Sequence, residues 1–213
     1  MEIRVSPNRM QLLALKRRHA MAVRGHKLLK DKLDEMLRRF LELVKRDREL
    51  RAIIDESLAQ AFQGFLLARA AMSSEAVDVA LMYPKERVSL TASQKTIMSV
   101  AVPSFTWSFE RQGDASNIYP YGFAYTSSEL DTAIKLLSES MPSLVELAEV
   151  EKSVELMASE IERTRRRVNA LEYVLIPDLE RATKYVTMKL DEAERANLTR
   201  LMKVKDMVRD RGV

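Results

Sequence analysis

Few side chains in this sequence are placed to do chemistry. Its two histidines, His19 and His26, lie seven residues apart, about 10.5 Å along a helix. One zinc ion bound at ~2.0–2.1 Å to nitrogen does not span that gap, so both read as seam residues that tune packing. The run Asp191-Glu192-x-Glu194 reads as solvated helix surface. There is no cysteine among the 213 residues, which removes disulfides, thiol catalysis and thiolate metal sites. The 5 glycines are scattered, and neither a P-loop nor a dinucleotide fingerprint is present. Arg24-Gly25-His26-Lys27 has the composition of a phosphate cradle, but it falls within a helix, where the backbone N–H groups are already paired. The expectation is no catalytic residue, no metal and no cofactor.

Positioning elements are therefore the main content of the sequence. With 5 glycines and 6 prolines, 46% hydrophobic and 31% charged residues, it lacks the turns of a β-sandwich and suits long amphipathic helices. No basic-then-apolar leader and no apolar run of ~18 residues is evident. The expected setting is cytosolic, or at a membrane only through other subunits. The net charge of +4 conceals three blocks. Residues 1–51 carry 15 basic and 7 acidic groups, residues 52–162 carry 7 and 16, and residues 163–213 carry 13 and 8. Basic ends and an acidic middle imply different partners at different places.

The pattern predicts a mainly α chain: a long antiparallel two-helix coiled coil with a small middle lobe of short helices and a β-hairpin. Residues 1–72 form the first long helix, 73–127 the lobe, and 128–213 the C-terminal helices, with a long helix over 142–209 pairing with the first. Ser6 before Pro7 reads as the first N-cap, and Leu12, Leu15, His19, Ala22 and His26 open a heptad seam. At Ala61, Gly64 and Ala68 that seam turns small while bulk moves to Phe62 and Phe65, which fits a tighter helix pair or the docking of a third element. In the lobe, 74–82 reads as a short helix, and 88–92 and 97–102 as strands. Phe105, Trp107 and Phe109, then Tyr119, Tyr121, Phe123 and Tyr125, recur at period two. Helix resumes at Ser128 with Asp131 as capping partner and breaks at Pro142. The second seam then runs through Val168, Leu171 and Leu175, with a kink at Pro177. Beyond it the period becomes eleven: Leu179, Leu190, Leu201; Ala182, Ala193, Val204; Val186, Asn197, Val208. If the two helices end together, residue 9 faces about 208, Phe40 faces Pro177 and Phe65 faces Lys152.

The stretch from Arg24 to Lys32 (RGHKLLKDK), the run from Thr164 to Pro177 (TRRRVNALEYVLIP), Met188-Lys-Leu-Asp-Glu and Leu201-Met-Lys-Val-Lys-Asp206 resemble the D subunit of V-type and archaeal A-type rotary ATPases. Tyr83-Pro84, Ile97-Met98, Val102-Pro103 and Tyr121-Gly-Phe are similar to that family's middle segment. The resemblance implies a non-catalytic central-stalk rotor coupling ATP synthesis or hydrolysis to proton or sodium transport. Implied partners are the catalytic and nucleotide-binding subunits of the hexamer, the small F subunit of the central stalk and the funnel-shaped subunit capping the membrane ring. It implies no nucleic acid, only indirect membrane contact, and a peripheral place on the cytoplasmic side. Met10, Leu12, Arg17, Arg18, Lys203, Lys205 and Met207 are then candidates for the hexamer bore. Ala61, Gly64, Phe65 and Ala68 are candidates for contact with the F subunit or with the chain's own lobe. The residues also fit a basic coiled coil that binds nucleic acid, marked by steep salt dependence, or a tethering rod.

Overall fold

The computed structural model describes residues 6–111, 118–122 and 126–210. In chain order these form α1 (Arg9–Ala71), α2 (Ser74–Leu81), β1 (Glu86–Ile97), β2 (Val100–Arg111), α3 (Ser128–Ala170), a π-helical turn (Leu171–Leu175) and α4 (Ile176–Asp210). They fall into two compact units, Met1–Glu35 with Ile161–Val213, and Met36–Glu160. α1 contributes to both.

In the first unit, the opening half of α1 packs against α4. Leu15, Leu179 and Val186 are its buried residues, with Leu12, Ala22, Ala182 and Leu190 packed around them. The cap of α1 is Asn8, not Ser6: Oδ1 of Asn8 accepts from the Met10 N–H at 3.3 Å, and its carbonyl accepts from the Leu12 N–H at 3.0 Å. An Asx side chain does this as well as serine, and it leaves Pro7 outside the helix. Two bonds join the helices further along: His19 Nε2 to Glu180 Oε1, and His26 Nε2 to Glu172 Oε2, each 3.3 Å.

Pro177 does not end the helical path. Proline offers no N–H and its ring crowds the carbonyl four residues back. The chain widens ahead of it, so that the Ile176 N–H bonds the Leu171 carbonyl five residues back. The wide turn adds a residue, and the seam slips by one. Leu175, expected on the seam, is 42% exposed, while Ile176 is half-buried and Leu179 buried.

In the second unit, Met36, Leu50, Ile54, Ala61 and Ala68 on α1 are buried, at intervals that are sums of heptad steps. So are Leu130, Ala133, Val150 and Met157 on α3. Arg46 Nη2 meets Glu146 Oε1 at 2.7 Å and Arg51 pairs with Glu151. These pairs are half exposed and add little stability. Ser73 caps α2 through the Ala76 N–H at 3.2 Å. Pro142 lies inside α3 and does not break it. Buried residues flank it on both sides, and just ahead of it the Ser140 hydroxyl donates to the Leu137 carbonyl at 2.9 Å.

The hairpin turns at Met98 and Ser99, both at positive φ (49° and 72°), with Ile97 paired to Val100. This is the primed two-residue turn that matches strand twist. It divides 97–102, which the sequence pattern presents as one strand. Val88, Leu90 and Ala92 pair with Phe109, Trp107 and Phe105, which puts apolar groups on one face. Ser89–Ser108, Thr91–Thr106 and Ser93–Ser104 line the other. The outer edge of β2 is tethered, because the Phe105 N–H donates to Glu149 Oε2 at 2.8 Å. The rings of Tyr119 and Tyr121 lie 6.2 Å apart, tilted by 42°, in no strand, and Phe123 and Tyr125 lie outside the described residues.

Candidate functional site

The axial register decides which candidates meet. Arg9 Nη2 reaches Glu194 Oε2 at 3.9 Å, which is 14 residues short of the expected 208. Pro177 lies between Glu172 and Glu180, the partners of His26 and His19, and so belongs to the level of those two histidines. Gly64 neighbours Glu129 and Ala133, placing this part of α1 well before Lys152. The expected pairing assumed that both helices end together. They do not: α4 continues to Asp210 with no described residue of α1 beside it.

The seven bore candidates consequently do not form one cluster. Met10 is 76% exposed and Leu12 packs toward Leu15. With Lys16, Leu190 and Glu194, Leu12 borders a shallow open groove. Arg17 and Arg18 are exposed on α1, about two turns further from its start. Lys203, Lys205 and Met207 stand on the uncovered part of α4, all exposed, at least ~13 Å beyond Glu194 at 1.5 Å per residue. Around them Leu198, Leu201, Val204 and Val208 are exposed as well. The candidates drawn from the sequence omit this apolar stripe, although the eleven-residue repeat contains Leu201, Val204 and Val208. At Lys189 and Glu192 a 2.9 Å hydrogen bond raises the lysine and lowers the carboxyl, a local surface pairing.

The small-residue seam belongs to the second unit. A Cβ on Gly64 would lie 3.3 Å from the Glu129 carbonyl oxygen and 3.4 Å from the Ala133 Cβ, so the first turns of α3 occupy the space beside it. Ala68 is buried with Ala80 and Leu130, with Phe65, Met72 and Tyr121 against them. The Tyr121 hydroxyl donates to Asp131 Oδ1 at 2.7 Å. Burial first, then that bond, push the phenol above its ordinary range. Asp131 thus anchors the chain ahead of α3. The alternation of tyrosines hints at this contact without naming its acceptor.

Among the described residues no group of three or more His, Asp or Glu side chains is placed to hold a metal ion. No described helix is long and apolar enough to cross a membrane. The arrangement presents surfaces at several levels of a helix pair. Against known proteins, residues 11–206 match the model of the family of ATP synthase D subunits. The chain belongs to that family. It is 59% identical over 208 residues to the D subunit of the V-type ATP synthase of Acetivibrio thermocellus, covering 97% of this chain and 92% of that protein. To the D subunit from Clostridium botulinum it is 52% identical over 211 residues, 99% of each chain. To that of Clostridium novyi it is 55% identical over 206 residues, 97% of this chain and 95% of the other.

Proposed function

We infer that this chain is the central-stalk rotor subunit of a V/A-type ATPase or ATP synthase, a non-catalytic component that carries rotation between an ion-translocating membrane ring and a catalytic hexamer. The observation that carries this reading is the uncovered part of α4. Its eleven-residue apolar repeat continues through Leu201, Val204 and Val208, where α1 no longer runs alongside. A stripe of that kind calls for a neighbour outside the chain.

The bore of the hexamer is that neighbour, with Lys203, Lys205 and Met207 at the uncovered end of α4 and Met10, Leu12, Arg17 and Arg18 at lower levels. An asymmetric rod turning in the bore offers each catalytic interface different contacts in turn. Such differential contact is what shifts an interface between open and closed states. The small F subunit and the funnel-shaped subunit meet the second unit. There the space beside Ala61, Gly64, Phe65 and Ala68 is already lined by the chain's own α2 and α3, which favours the surrounding exposed residues Phe62, Leu66 and Met82 as the outward contact. The chain sits on the cytoplasmic side and touches the membrane only through other subunits.

The test is reconstitution of Leu201→Asp/Val204→Asp chain with the remaining subunits in sealed vesicles. The isolated variant keeps its helicity and melting temperature, while ion-driven synthesis falls further than hydrolysis. Unchanged coupling would remove the bore assignment. ATP hydrolysis by the isolated chain would overturn the rotor reading altogether.

A further inference from the structure

The surroundings of each methionine decide what oxidation of its sulfur would do. Met36 and Met157 are fully buried on the seams, closed to an oxidant. Met10, Met82, Met188 and Met202 are exposed, where an added oxygen meets only water. Met72 belongs to neither group.

Met72 follows the last residue of α1. Its own N–H still closes that helix, donating to the Ala68 carbonyl at 2.9 Å, so its place is set by the fold of the second unit. The half-buried side chain packs against the cluster of Ala68, Ala80 and Leu130. There the sulfur accepts the Ser127 N–H at 3.4 Å. A thioether is a weak acceptor, and this donor belongs to the residue just ahead of α3. The hydroxyl oxygen of the same serine is buried and has no hydrogen-bond partner among the described residues. Two donors of one residue are thus poorly met, the N–H by sulfur and the hydroxyl by nothing, and buried donors left so cost stability.

We propose that Met72 is a reversible oxidation site, at which a peroxide converts the thioether to a sulfoxide whose oxygen takes up the Ser127 N–H and hydroxyl. The sulfur lone pair attacks one peroxide oxygen; an S–O bond forms and the O–O bond breaks. Sulfur loses two electrons and the peroxide gains them. With hydrogen peroxide, both protons leave on the other oxygen as water. The three torsions of the methionine side chain let the sulfur withdraw and make room for the oxygen. Oxidation of a packed methionine ordinarily disrupts its surroundings, because a polar group enters an apolar place. Here the oxygen meets donors already in position, and it ties the start of α3 to the end of α1. Methionine sulfoxide reductases undo the reaction, one enzyme for each epimer. The site is independent of the partners to which the chain docks.

The test exposes the full wild-type chain, Met72→Leu and Ser127→Ala to hydrogen peroxide, with each sulfoxide located by peptide mass mapping. Met72→Leu keeps every other methionine, so its response is the background. Above that background, oxidation of the wild type should raise the melting midpoint by about 2–4 °C. Exchange of the Ser127 amide should slow roughly fivefold, and reductase treatment should reverse both changes. In Ser127→Ala the gain should shrink. Met72→Gln, which carries an amide oxygen without any oxidant, should also protect the Ser127 amide. The proposal is overturned if Met72 stays unoxidised while Met82 is fully converted. It is overturned equally if the oxidised wild type melts at or below the Met72→Leu background, if Ser127→Ala gains as much as the wild type, or if the amide is unprotected in Met72→Gln.

Discussion

Along α4 one apolar repeat has two fates. Beside α1, Leu179 and Val186 are buried, at 4% and 0% exposure; further on, Leu201 and Val208 carry the same pattern and are about 65% exposed. Residue type and spacing are nearly the same in both places, and what differs is the neighbour. Burying a leucine or valine contributes about 1.5–3 kcal/mol wherever it happens. In the first region that free energy goes to folding. In the second it is available only to association. Periodicity thus marks a face to be covered and leaves open whether the same chain or another covers it.

The contrast gives a ranked set of expectations. Leu179→Ala should destabilise the isolated chain by about 2–5 kcal/mol, whereas Leu201→Ala should stay within about 0.5 kcal/mol. Denaturant melts of both would break the comparison if the two costs were alike. Next in size is Gly64→Leu, where the Glu129 carbonyl and Ala133 stand against the new side chain; about 1–3 kcal/mol should be lost. An unchanged melting midpoint would mean that α1 and α3 separate freely at this level.

Tyr121 sharpens the comparison through pH. Its phenol titrates higher in the folded chain than the ordinary ~10, so its contribution is complete below pH ~10 and is lost as pH rises beyond that value. Tyr121→Phe should melt with a flatter dependence above pH ~10 than the wild type, and identical slopes would count against the Asp131 anchor. The smallest effect is expected at the hairpin turn. Replacing Met98-Ser99 by Asn-Gly should raise stability by up to about 1 kcal/mol, because both positions hold positive φ. Destabilisation would show that Met98 packs more than it strains.

The sequence is informative about faces and much less so about levels. Leu15, Met36, Ile54, Met157 and Val168 all fall on the seams read from heptads, because burial follows side-chain type. The offset between helices depends on particular fits, such as Leu15 with Leu179 and Val186 or Gly64 beside Ala133, and a repeat looks the same after sliding by one period. That is why the expected partner of residue 9 is wrong by 14 positions. Pro142 reads as a break only while local propensity is weighed without the packing that overrides it. Positive φ at Met98 and Ser99 has no Asn-Gly signature to announce it. Of the candidate surfaces, Lys203, Lys205 and Met207, which the family resemblance singles out, stand exposed on α4. The exposure of Leu175 becomes legible only once the slipped seam is seen.

A π turn spends one residue more than an α-helix needs to reach the same height and orientation. In alignment terms, the stretch Leu171–Leu175 is a one-residue insertion that the fold has already absorbed. Removing any one of those five residues would return the path to plain α-helix with every downstream face pointing as before. A gap of one at this place is therefore silent to the pairing of α1 with α4. A gap of two would turn Leu179 and Val186 away from Leu15.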